Sequence, residues 1–546
     1  MTERWTAPAG RPARRARWMR ATWRKVPAGP YEVGCEAGLT VPGGNGDPLV
    51  TDHYFPRGQG EFPTLLVRSP YGRGVPWAPL YGILFAEQGF HVVVQSCRGT
   101  GGSGGDFHLW RNEVADGRAT VAWLRQQSWF NGALATIGPS YLGYAQWALA
   151  LEPPPELRAM VVQIGLHDPY AYFHAGGAVH LENALVSGIG MAHQHRGVGP
   201  LLRAALRLRR WLRTAHREQP PYATGPAAEL PWLAEALAHT DRDDPYWHGA
   251  STAQAAARLT VPTCLIGGWQ DVFLDQNLAQ YRRLRRAGCA TALLVGPWTH
   301  ASALQEGWPV VFAESLGWLR AQLGGDRAGL RPTPVRVHVG AGGGGEWRDL
   351  PDWPPPPGTA AGPWYLSAGG ALAPQAPAGT APVGEFRYDP ADPTPSVGGP
   401  LLSQGGGRRD NRALEARADV LTFTGPELDE PLEVLGPVGA RLRLTGERER
   451  GAAGAAFDVF ARLCDVDPRG RSVHVCDGLV RMPGGAAEPL EAVVPMTATA
   501  HRFEAGHRLR LQVSGGAFPR YAPPAGAAGA GPVRLVLHPG SMLDLP

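Results

Sequence analysis

A serine, an aspartate and a histidine occur in the order Ser140, Asp271, His300, each at or just beyond the end of a short apolar run. Gly138-Pro139-Ser140-Tyr141-Leu142-Gly143 fits a G-x-S-x-G turn with one extra position before its last glycine. Such a turn joins a strand to a helix and lifts the serine hydroxyl clear of the sheet. Alone, a six-residue match in a chain with 73 glycines has chance as a fair explanation. A free serine hydroxyl is a poor nucleophile at neutral pH, so it needs a base, and the base needs an orienting acid. The run 263–267 leads into Gly268-Trp269-Gln270-Asp271, and the run 292–296 leads into Pro297-Trp298-Thr299-His300. Singly, Asp271 reads equally well as the cap of a helix over 272–286, and His300 as a loop histidine. Together, three such residues at three strand ends point to acyl-transfer chemistry, with Ser140 as nucleophile, His300 as base and Asp271 as orienting acid. The developing oxyanion needs donors. The Tyr141 backbone N–H and the Tyr71 hydroxyl, in Arg68-Ser69-Pro70-Tyr71-Gly72-Arg73, are the candidates, against a packing role for the Tyr71 ring.

The elements that must hold these residues follow from periodicity. The runs 63–68, 90–95, 134–138, 159–164, 263–267 and 292–296 are continuously apolar, as strands buried on both faces are. Helical stretches over 80–88 and 144–151 alternate with them, which predicts a doubly wound α/β sheet of α/β-hydrolase type. Residues 167–250 interrupt it with helices such as 200–217, where Leu201, Leu202, Ala205, Leu206, Leu208, Trp211 and Leu212 form one stripe among arginines. That insertion reads as a helical cap with a solvated basic face. After Gly324, Pro- and Gly-rich segments at 341–345 and 354–362 give way to short strands, with an Asp467-Pro468-Arg469-Gly470 turn, which predicts a β jelly roll. The expected organisation is a basic tail over 1–37, an α/β domain over 38–166 and 251–324, a cap over 167–250 and a jelly roll over 325–546.

The 546-residue chain is too long for one core. Its net charge of +4 hides a split: residues 1–25 carry eight basic side chains against Glu3, leaving the rest slightly acidic. That balance does not point to nucleic acid. Trp18–Trp23 is broken by Arg20, so no secretory signal is read there, and no run is long enough to span a membrane; the expectation is a cytoplasmic protein. The six cysteines form no C-x-x-C pair, and neither a metal nor a cofactor is expected. Cys464 and Cys476 read as buried thiols in preference to a disulfide across a hairpin.

From about residue 38 onward the chain resembles the CocE/NonD serine hydrolases, the group of cocaine esterase, X-Pro dipeptidyl-peptidase and α-amino-acid ester hydrolase. The resemblance rests on Arg68 to Gly72, Arg98-Gly99-Thr100-Gly101-Gly102-Ser103-Gly104-Gly105-Asp106-Phe107, Glu113-Val114-Ala115-Asp116-Gly117, Gly138 to Gly143, Gly267 to Phe273 and Gly296 to His300. It continues with Arg387-Tyr388-Asp389-Pro390, Asp419 to Phe423, Asp465-Val466-Asp467-Pro468 and Phe518-Pro519-Arg520-Tyr521. It implies the same triad, Tyr71 as oxyanion tyrosine, and the α/β-hydrolase, cap and jelly-roll plan. The chain departs from the family pattern at Ser96, where an aspartate is usual, at Gln270, where an aromatic is usual and a changed pocket wall is expected, and at Ala522-Pro523-Pro524.

The predicted activity is hydrolysis of a small ester or amide through an acyl-enzyme. An X-Pro exopeptidase would need carboxylates for a free α-ammonium, and Asp168, Glu182 and the group Asp241, Asp243 and Asp244 read equally well as solvent-facing. Acyl transfer would use the same triad, and an inactive binding scaffold would not need it. The expected partner is a small acyl ester or amide, with no nucleic acid or membrane.

Overall fold

The apolar runs become the strands of one mixed sheet because helices cover both of its faces. The computed structural model describes residues 26–546 apart from 194–197, 219, 221–223, 343, 357–361, 449–453 and 486–487. In chain order the first part contains β1 (Glu32–Pro42), β2 (Pro48–Arg57), β3 (Thr64–Ser69), β4 (His91–Ser96), α1 (Glu113–Leu124), β5 (Leu134–Ser140), α2 (Tyr141–Leu149) and β6 (Leu157–Gly165). Then come α3 (Leu181–His193), α4 (Val198–Leu212), α5 (Pro231–Ala238), β7 (Thr263–Gln270), α6 (Leu274–Arg286), β8 (Thr291–Thr299), α7 (Trp308–Gly324), β9 (Val335–Ala341) and β10 (Gly344–Leu350). The strands lie side by side in the order β1, β2, β4, β3, β5, β6, β7, β8, β9, β10. From β4 to β9 all neighbours are parallel, while β2 and β10 run antiparallel to theirs.

Alternate side chains of each central strand enter two separate cores. Leu65, Val67, Ile137, Val161, Ile266 and Leu294 pack with Tyr81, Phe85 and the α7 residues Trp308 and Phe312. Leu66, Leu134, Met160, Val162, Leu265 and Leu293 pack on the opposite face with Val121, Trp147, Leu278 and Tyr281. With no polar face to show, each strand reads as an unbroken apolar run.

Several expectations need correction. The sheet begins at Glu32, inside the stretch expected as a tail, and residues 1–25 lie outside the described residues. The helix expected over 80–88 starts at Ala78 as a wide-turn segment, Ala78–Ile83, continued by Leu84–Ala86. On α4 the predicted stripe divides: Leu208 and Leu212 are buried, whereas Leu202 and Leu206 are 58% and 57% exposed. β9 falls in the segment expected as jelly roll, yet Leu293 and Val295 of β8 pair in parallel with its Val335 and Val337, so it extends the central sheet.

From Pro363 on, two antiparallel layers enclose a third core. Gly384–Tyr388, Val533–Leu537, Leu432–Arg448 and Leu490–Phe503 form one, and Val420–Thr424, Arg508–Ser514, Phe457–Val466 and Ser472–Met482 the other. Val438, Ala440, Leu442 and Leu444 of the first layer meet Val459, Ala461, Leu463 and Leu511 of the second at the period of two expected for strands. Cys464 stands opposite His474 and Cys476 opposite Leu463, and both are free buried thiols. Among the described residues no helix is long and apolar enough to cross a membrane.

Candidate active site

β5 ends on Ser140, whose φ of 57° and ψ of −125° put a non-glycine residue in a sparsely populated region. Two glycines make that turn possible. Gly138 has φ 151°, and a Cβ there would lie 2.6 Å from Leu142 Cβ. At Gly143 a Cβ would lie 2.9 Å from Gly165 Cα on β6, so this glycine lets α2 press against the sheet. The extra position before the last glycine thus sets the helix-to-sheet contact.

Tyr71 stands in the turn after β3. Its hydroxyl shares a hydrogen bond of 3.3 Å with Ser140 Oγ and accepts from the Tyr141 backbone N–H. The phenol and the N–H therefore meet beside the serine, at the start of α2. Burial pushes the Tyr71 phenol up to about 12 against the opposing pull of those two contacts. Its ring stacks on Trp77 with centroids 5.4 Å apart.

His300 follows β8, and its Nδ1 lies 2.7 Å from Asp271 Oδ1. With that nitrogen bonded to a carboxylate, the neutral tautomer carries its proton on Nδ1 and its lone pair on Nε2. Asp271 follows β7 and is 1% exposed. It is not a side-chain cap: α6 starts after Phe273 with no side-chain capping bond. The edge of the Phe273 ring packs on His300.

Ser140 and His300 open onto one cavity of about 280 Å³. Apart from them its lining is mostly apolar and aromatic, including Trp77, Trp110, Leu166, Tyr172, Met191 and Phe273, and among the described residues it contains no carboxylate and no lysine or arginine. Val186, Ser187 and Met191 come from α3, and Leu402 from the C-terminal part.

Residues without an assigned role in the sequence reading support the turn from beneath. Glu113 Oε1 accepts from the Tyr141 hydroxyl at 2.9 Å while its Oε2 pairs with Arg68 Nη1 at 3.0 Å, and Glu113 and Arg68 are both buried. Trp110 stacks on Tyr141, and the Tyr144 hydroxyl donates to Ala250 O at 2.8 Å. The recurring Glu113-Val114-Ala115-Asp116-Gly117 segment is the signal that finds Glu113, but its ring of partners lies far away in sequence.

The candidate ammonium-binding carboxylates are not on the cavity wall. Asp168 accepts from Ala171 N and pairs with Arg242 at 2.7 Å. Glu182 is buried beside Ser403, and burial pushes its carboxyl up. Asp241 and Asp243 are exposed, and Asp244 pairs with His239 at 2.7 Å. Gln270, expected to alter the pocket wall, points the other way, donating to Val475 O at 3.1 Å. Ser96 accepts from Arg73 Nη1 at 2.6 Å, and the Ala522 N–H donates to Val179 O.

Residues 45–302 match the model of the X-Pro dipeptidyl-peptidase (S15) family, and residues 329–529 match that of the X-Pro dipeptidyl-peptidase C-terminal non-catalytic domain. The chain is 31% identical to a cocaine esterase of Rhodococcus sp. over 542 residues, covering 90% of this chain and 92% of that protein. It shares its fold with an α-amino acid ester hydrolase (TM-score 0.77, 22% identity, 95% of this chain and 97% of the other). It also shares it with an aminopeptidase of a marine-sediment Thaumarchaeota archaeon (TM-score 0.77, 21% identity, 95% and 96%).

Proposed function

The chain belongs to the S15 family of hydrolases that joins cocaine esterase with the X-Pro dipeptidyl-peptidases, and from that premise we propose that it is a serine esterase for compact, largely apolar acyl substrates. The observation that carries this reading is Ser140, held in a strained turn on the wall of an apolar cavity shared with His300, with His300 bonded to buried Asp271. In the proposed reaction His300 Nε2 takes the Ser140 proton as Oγ attacks the acyl carbon. The tetrahedral oxyanion is received by the Tyr71 hydroxyl and the Tyr141 N–H, and their preorganisation lowers the barrier without reorientation of water. His300 then gives its proton to the leaving group, and water, activated by the same imidazole, releases the acid from Ser140. The uncharged lining favours an ester or amide without a free ammonium beside the scissile bond. In this reading the fold is an α/β-hydrolase, residues 167–250 form a cap over the cavity, and the strands from Pro363 on form a jelly roll.

The test compares aryl esters, amino-acid esters and Xaa-Pro amides, with Ser140→Ala beside wild type. Ser140→Ala is expected to lose on the order of 10⁴-fold or more in kcat and all labelling by a fluorophosphonate. Turnover retained in that variant, or Xaa-Pro amides cleaved faster than aryl esters, overturns the proposal.

A further inference from the structure

Glycine is the poorest helix former after proline, so a glycine inside a helix costs stability unless something needs the missing side chain. Four helical glycines of this protein have a close neighbour that explains them. An added Cβ would lie 3.3 Å from Arg68 Nη1 at Gly117, 2.9 Å from Gly165 Cα at Gly143, 2.6 Å from Leu233 Cδ2 at Gly188 and 2.7 Å from Gly329 O at Gly317. Gly190 has no such neighbour. It lies within α3, its φ is not left-handed, and among the described residues no atom beyond its own stretch of helix stands within 4 Å of where its Cβ would be. A larger residue could therefore take its backbone conformation and would stabilise the helix.

What Gly190 faces is the cavity that holds Ser140 and His300, on a wall it shares with Val186, Ser187 and Met191 of the same helix. Residues four apart lie one above the other on a helix face, so a side chain at 190 would stand beside Val186 and enter that cavity. The wall there is hydrocarbon, supplied by Val186, Met191 and Leu402. Its one hydroxyl is already spent: Ser187 Oγ donates to Ala184 O at 2.9 Å and accepts from the Tyr172 hydroxyl at 2.9 Å. In a cavity of about 280 Å³ the carbon atoms of a single added side chain remove a substantial share of the space.

We propose that Gly190 sets the size limit of the active-site cavity: the space left by its missing side chain receives a branched or cyclic hydrocarbon group of the ester. This deepens the esterase reading above and rests on it. A polar group would lose its hydration against this wall without compensation, whereas a hydrocarbon group gains by leaving water. A methyl or ethyl group leaves the space beside Gly190 unfilled, so a side chain at 190 penalises large esters more than small ones, and the difference is read in kcat/KM.

The full chain is assayed as wild type, Gly190→Ala and Gly190→Leu on two series of esters. In one the acyl group of a 4-nitrophenyl ester grows from acetyl to isobutyryl to cyclohexanecarbonyl; in the other the alcohol of an acetate grows from ethyl to isopropyl to cyclohexyl. Wild type is expected to accept the cyclohexyl member of at least one series. In that series Gly190→Leu is expected to lower the ratio of kcat/KM for the largest member to that for the smallest by about 10²-fold, and Gly190→Ala by about 3- to 10-fold. Tm is expected to be unchanged or raised in both variants. An unchanged ratio in both series, or a loss by the same factor for every member, overturns the inference, as does a wild type that rejects both cyclohexyl esters. If Gly190→Leu does not fold, the ratio in Gly190→Ala decides in the same way. Esters still hydrolysed by Ser140→Ala overturn the esterase reading beneath it instead.

Discussion

Replacing Tyr71 by Phe removes one oxygen from the site and leaves the ring stacked on Trp77, so it separates chemistry from packing. In the resting state that oxygen bonds Ser140 Oγ at 3.3 Å, longer than the usual hydroxyl–hydroxyl distance of about 2.7–2.8 Å, and takes the Tyr141 N–H, so its ground-state contribution is expected to be about 1–2 kcal/mol. In the tetrahedral state the same hydroxyl faces a full negative charge in a buried site, where one lost oxyanion donor costs about 10²- to 10³-fold in kcat, or about 2.7–4 kcal/mol. The two magnitudes predict a kcat effect with nearly constant KM and Tm. Because burial holds the phenol at about 12, Tyr71 remains a donor throughout the assay range and adds no pH dependence of its own. Steady-state kinetics on an aryl ester, with a thermal melt of the same preparation, measures all three quantities. A kcat within about threefold of wild type at unchanged Tm would refute the argument, since loss of one oxyanion donor costs far more than that.

Three further outcomes are expected. Gly143→Ala forces a Cβ to within 2.9 Å of Gly165 Cα, so it is expected to cost about 1–3 kcal/mol in denaturant unfolding and to lower kcat by shifting α2; wild-type stability would contradict the close approach. Asp477→Ala strands the guanidiniums of Arg462 and Arg520, whose side chains are 0% and 4% exposed, and is expected to cost about 3–5 kcal/mol or to prevent folding; a Tm equal to wild type would show that the pair carries no such charge burden. Burial holds His53, His91, His167, His174 and His474 down to about 4 and His180 to about 3. The unfolded chain therefore binds protons that the fold refuses, so stability present at neutral pH falls as pH drops from about 6.5 through about 4. A Tm that is flat between about pH 7 and pH 4.5 would refute this.

The central strands are legible in the sequence because both faces are covered: Leu65, Leu66 and Val67 all meet apolar partners, so the run announces itself. That Ser140, Asp271 and His300 stand at the ends of β5, β7 and β8 is readable for the same reason, since each follows such a run. Glu113 is not readable in this way. A carboxylate in the first turn of a helix looks solvent-facing, and only the fold brings Arg68 and Tyr141 onto it. The direction of Gln270 was also out of reach, because its partner, Val475 O, belongs to a strand two hundred residues later. β9 was misassigned for a compositional reason: the glycines that follow it in the β9–β10 hairpin suggested a new domain, while its pairing with β8 depends on register that local sequence does not carry.

The position of β9 has a practical consequence for recombining this protein with its relatives. A chimera with its crossover directly after α7 would import the last two strands of the central sheet, β9 and β10, from the other parent, along with the parallel pairing of β9 to β8. It would also exchange the His338 carbonyl that accepts from Trp269 Nε1 at 2.7 Å and the Trp353 ring packed on Trp269, two residues before Asp271. Crossovers placed beyond Pro354 keep that strand, its hairpin and the Trp269 contacts with one parent. Libraries that exchange C-terminal portions there are expected to yield more folded and active members than libraries cut at the end of α7, and scoring expression and esterase activity of both sets side by side gives the comparison.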